Sequence, residues 1–97
     1  MRLIMDIFAK IAEKIIKEQE LIIGPLAWDE AKRVEGLTIS NQIGEVTIEG
    51  DKKQVIDKLV ARYDRLFGRA SHEVSRDAAA ALLADLVPTD IPISLKI

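Results

Sequence analysis

The sequence predicts an α+β fold: four helices packed on a small antiparallel β-hairpin, in the order α-α-β-β-α-α. Three observations predict it. Apolar residues recur at helical spacing toward both ends of the chain. Two short stretches in the middle alternate apolar and polar residues instead. Glycine or proline punctuates each junction between these segments. A chain of 97 residues is expected to form a single domain, 1–97.

The first helix is expected over residues 3–23. Ile4, Ile7, Phe8, Ile11, Ile15 and Ile22 share a face, while Asp6 to Lys10 and Glu13 to Lys17 pair along the other. Gly24-Pro25 ends it, because proline cannot continue a helix and restricts the residue before it. Pro25 suits the first turn of a second helix over residues 25–35. Ala27, Ala31 and Val34 form its apolar side, and Asp29 and Glu30 sit near its positive end. Gly36 is placed to terminate it.

Residues 37–40 and 45–49 alternate in polarity and carry β-branched side chains, so both read as strands. Residues 41–44 between them suit a hairpin turn. Two strands alone are marginal. Residues 91–97 are the candidate short C-terminal strand that would add a third; pairing with a second copy is the alternative. Asp51 is a fair N-cap for the third helix, whose broad stripe runs Val55, Ile56, Leu59, Val60, Tyr63, Leu66 and Phe67 up to Gly68. The fourth helix is expected from about residue 70 to Leu86, before Pro88.

Residues 78–83 of that helix are apolar without a break. Successive helical residues point about 100° apart, so six of them leave no fully polar side. A surface helix normally hides one stripe only. The run therefore implies cover on both sides, from this chain on one and from a second chain on the other.

Composition narrows the function. With four aromatic residues the core must be aliphatic, and with no cysteine there are no disulfides and no thiolate metal sites. The cysteine-free composition fits a reducing cytoplasm, which is the expected location. Acids in the first helix interrupt any signal-peptide core, and no apolar stretch reaches the roughly 20 residues of a membrane span. Lysines 10, 14 and 17 beside Phe8 suggest a membrane-surface helix, but Asp6, Glu13 and Glu20 weaken attraction to anionic lipid.

The candidate chemistry is thin. His72 is the sole histidine, and no acid joins it on the same helical face to bind a metal. Ser71 and Ser75 do not aim a hydroxyl at it. Asp29 and Glu30 flank Trp28 without facing each other. Gly50-Asp51-Lys52-Lys53 lacks the glycine spacing of a nucleotide loop. No cofactor, metal or catalytic residue is expected, and the chain reads as non-enzymatic.

Two helices and a hairpin share the order of a winged helix. Yet residues 18–51 hold two bases against eight acids, and Asp57 and Asp64 interleave with the bases of the third helix. That argues against nucleic acid. The leading expectation is a dimerisation or regulatory adaptor module acting through protein contacts, most simply a homodimer. Its expected interface is Trp28, Ala80, Leu83, Phe8 and Ile15. A nucleic-acid-associated regulator and a small-ligand sensor with an aliphatic pocket are the alternatives.

Overall fold

The first helix forms where isoleucines meet one face at helical spacing, and everything else is arranged around it. The computed structural model describes residues 7–40 and 45–96. Its elements are α1 (Ile7–Ile23), α2 (Leu26–Ala31), β1 (Leu37–Ile39), β2 (Val46–Ile48), α3 (Lys52–Phe67) and α4 (Arg69–Leu83). Two 3-10 turns, Pro88–Asp90 and Ile93–Leu95, follow. The α+β class and the α-α-β-β-α-α order are as the sequence predicts. The expected helical start at residue 3, Ile4 and the 41–44 turn lie outside the described residues.

Helix α1 buries Ile11, Ala12, Ile15 and Ile16 and packs against α2, α3, α4 and β2. Helix α3 answers with Val55, Ile56, Leu59, Val60 and Tyr63. Asp51 does cap α3: its Oδ1 accepts from the Gln54 N–H at 3.2 Å. The second helix is shorter than the expected 25–35. After Ala31 the chain tightens into turns in which Arg33 and Val34 donate to carbonyls three residues back, which brings Val34 into the core.

Gly36 then reverses the chain into β1 with φ +91°. A Cβ there would sit 2.7 Å from Val55 Cγ2 and 2.9 Å from the Glu49 carbonyl, so both backbone and space require glycine. The strands pair antiparallel with Leu37 opposite Ile48 and Ile39 opposite Val46. This register turns all four apolar side chains toward the helices and leaves Thr38 and Thr47 exposed. Gly68, at φ +86°, makes the sharp corner from α3 into α4.

The C-terminal segment corrects an expectation. Residues 91–96 do not form a third strand, and among the described residues the sheet has two. Pro88 and Pro92 lack the N–H that a ladder needs. The Ser94 N–H and hydroxyl both go instead to Asp57 Oδ1, at 3.0 and 2.5 Å. Leu95 thereby plugs the core against α3. The fourth helix also stops short of Leu86, because Asp85 and Leu86 donate to carbonyls three residues back and close the last turn.

Candidate functional site

The contact between α1 and α4 sets the geometry of an opening with apolar lining at both ends. Its register is held by a buried amide. Gln19 Nε2 donates to the Ser71 carbonyl at 2.8 Å and to Ser75 Oγ at 3.1 Å. Both N–H donors of that amide are thus used. The helices run antiparallel, with the Gln19 end of α1 beside the start of α4 and Lys10 near Leu82. Small residues on α4, Ala78 and Ala81, leave a groove between the two helices. It consists of adjoining hollows of about 420 and 300 Å³ that share Lys14 and Ala78. Leu21, Ile22 and Val74 line one end, and Ala81 and Leu82 the other. Lys10, Lys14 and Lys17 alternate with Glu13, Glu18 and Asp77 along its walls.

The structure redistributes the expected interface residues. Ile15 is fully buried in the core, so it cannot meet a partner. Phe8, Trp28 and Leu83 are half-buried and packed against that core. Ala80 is exposed, but it does not line the groove; Ala81 does. In the 78–83 run Ala78 and Ala79 face inward, while Ala80 and Ala81 remain open. The chain therefore covers one side of this stretch and leaves the other side bare.

Sequence reasoning passed over an exposed apolar pair at the end of α1. Leu21 is 79% exposed and Ile22 62%. Ile22 was expected in the buried stripe of α1, but it lines the groove instead. The signal was present: Leu21, Ile22 and Ile23 are three consecutive apolar residues on a helix, and they cannot all face inward.

A second opening lies at the corner between α3 and α4. His72 Nδ1 is 2.5 Å from Asp64 Oδ2, and Gly68, Arg69, Glu73 and Arg76 complete a cleft of about 380 Å³. The acid comes from the neighbouring helix, which single-helix spacing could not reveal. Ser71 and Ser75 turn the other way, buried against α1, with Ser75 Oγ on Gln19. The His72–Asp64 pair therefore ties two helices together without a hydroxyl aligned on it from either serine. Among the described residues, no group of three or more His, Cys, Asp or Glu side chains is placed to hold a metal ion. Among them, too, no helix is long and apolar enough to cross a membrane.

A third cleft, of about 450 Å³, lies between the turn after α2 and the outer face of α3. Arg33, Val34 and Glu35 form one wall, and Lys58, Ala61, Arg62 and Arg65 the other. Arg62 is anchored there by Glu30, with Nε 2.7 Å from Oε1 and both side chains mostly buried.

No family model, curated protein or solved structure matches this chain.

Proposed function

We propose that this protein is a non-catalytic dimerisation module, which assembles with a second copy of itself through the α1–α4 groove. The observation that carries the reading is Leu21 and Ile22, two large apolar side chains left in water beside a groove floored by alanines. Isolated exposed apolar residues are common and mean little. These two share their hollow with Val74 and Ala78, and Ala78 also lines the adjoining hollow that holds Ala81 and Leu82, so the apolar lining extends along both helices.

The groove walls favour a second copy as the occupant. They carry three lysines and three acids in alternation, which is self-complementary across a two-fold axis. Glu13–Lys17 and Lys14–Glu18 already pair within α1 at 3.3 and 3.6 Å, so partners can be exchanged with little loss.

Magnitudes set the expected strength. Burying a leucine or isoleucine contributes about 1.5–3 kcal/mol. Two per chain, counted twice, give about 6–12 kcal/mol against an association cost of about 4–15. The rest of the groove must add to this, and the expected dimer is weak and concentration-dependent.

Light scattering across a concentration series tests the reading. The apparent mass should rise from 10.8 kDa toward twice that value in the micromolar to millimolar range. Leu21→Lys and Ala81→Glu, both at exposed positions, should hold the protein at 10.8 kDa with unchanged circular dichroism. A wild-type chain that stays monomeric throughout, or variants that associate as before, would end the proposal.

A further inference from the structure

We propose that the cleft between the turn after α2 and the outer face of α3 binds a dianionic phosphate group, free or carried on a small molecule. This inference stands independently of the dimer.

The argument begins with spacing on α3. Lys58, Arg62 and Arg65 are four and three residues apart, so they stand on one stripe. Asp57 and Asp64 are seven apart and form another stripe, about 100° round the helix from Lys58. The acids that alternate with the bases along the sequence therefore do not alternate with them in space. Each is also committed elsewhere: Asp57 accepts from Ser94 in the C-terminal segment, and Asp64 meets His72 on α4. Neither dilutes the cleft.

Arg33 completes the cluster from the facing wall. Among the described residues neither Arg33 nor Arg65 has an acidic partner. Lys58 meets Glu35 only at 3.7 Å, where the Glu35 side chain is 90% exposed; such a pair is easily displaced. Arg62 is held in place by Glu30. An arginine fixed by one acid is pre-organised for a second.

The charge count selects the ligand. Four cations stand against Glu35 in the wall and Glu30 behind Arg62, for a net charge of +2. A phosphate monoester carries about −1.5 to −2 at neutral pH. The cleft at His72 is the poorer anion site, because Asp64 and Glu73 offset Arg69 and Arg76 there. Guanidinium forks match phosphate oxygens in geometry. Val34 and Ala61 supply apolar wall for an organic group.

The test is an amide-shift titration of isotope-labelled protein at fixed ionic strength. The probes are inorganic phosphate, phosphoserine and a short single-stranded oligonucleotide. Saturable shifts are expected at residues 33–35 and 58–65. Arg33→Gln and Arg65→Glu, each at an exposed position, should weaken phosphoserine binding by about tenfold or more without changing the melting temperature. Equal affinity for phosphate and phosphoserine assigns the free ion, and tighter phosphoserine assigns an organic ester; both support the phosphate site. Three results overturn it: no saturation at millimolar probe, equal shifts at Lys53 and Arg69, or tighter binding of the oligonucleotide than of phosphoserine.

Discussion

The Tyr63 hydroxyl on α3 donates a 2.6 Å hydrogen bond to the backbone carbonyl of Ala27 on α2. Both residues are fully buried. Together with the Arg62–Glu30 pair, this bond ties the short second helix, which has no side-chain cap at its start, to the apolar stripe of α3.

Removing the hydroxyl should therefore matter more than its size suggests. Tyr63→Phe removes this bond from the buried Ala27 carbonyl, at a cost of about 0.5–1.5 kcal/mol. Urea denaturation should show a lower midpoint with an unchanged slope. A midpoint equal to wild type means that the bond contributes nothing net.

The same site makes an alkaline prediction. Burial first, and the Glu30 carboxylate second, push the Tyr63 phenol well above its ordinary value of about 10. The neutral phenol is the form that the fold favours. Stability from this group is fully present below about pH 10 and is lost as pH rises above it, where the unfolded chain ionises first. Tyr63 is the only tyrosine, so the phenolate absorbance reports it alone. That signal should appear together with unfolding; a phenolate titrating near pH 10 in the folded protein would contradict the buried placement.

Gln19 makes the corresponding statement for α1 and α4. It is 1% exposed, and its amide spans Ser71 and Ser75. Gln19→Leu is expected to destabilise by about 1–3 kcal/mol, because two buried hydrogen bonds to α4 are lost and Ser75 Oγ loses its side-chain partner. In a double-mutant cycle with Ser75→Ala the two effects should fall short of additive by about 0.5 kcal/mol or more. Strict additivity would show that the two side chains are not coupled.

Gly36 offers a steric test. Gly36→Ala meets a positive φ and two atoms inside 3.0 Å, and should cost more than Gly24→Ala, which meets positive φ alone with open space around it. Thermal melts of the two variants rank them directly. Val55→Ala on the Gly36→Ala background should recover only part of the loss, because the Glu49 carbonyl remains in the way. Equal melting temperatures for the two glycine variants would remove the close approach from the account.

Most of the fold was legible because its signals are local. Periodicity located α1, α3 and the two strands, Gly68 and Pro88 bracketed α4, and Asp51 marked the start of α3 by its own backbone preference. What failed depended on distant partners. The third strand expected at residues 91–97 is overridden by Asp57, whose attraction for Ser94 no local pattern contains. Ile22 obeys the stripe of α1 yet stays in water, and the amide of Gln19 is taken inside to meet two serines more than fifty residues away. The stripe of Lys58, Arg62 and Arg65 was open to spacing arguments, but reading the bases and acids of α3 as one polar face obscured it.

The order of residues by itself determined which segments become helix or strand, because that choice rests on side-chain spacing and on glycine and proline backbone preferences within a few positions. Only the tertiary structure decided which face of each helix is covered, which acid answers His72, and where the cations of α3 stand relative to its acids. Those outcomes depend on how the elements are placed against one another. Burial and charge pairing are properties of neighbours in space, and the chain order does not contain them.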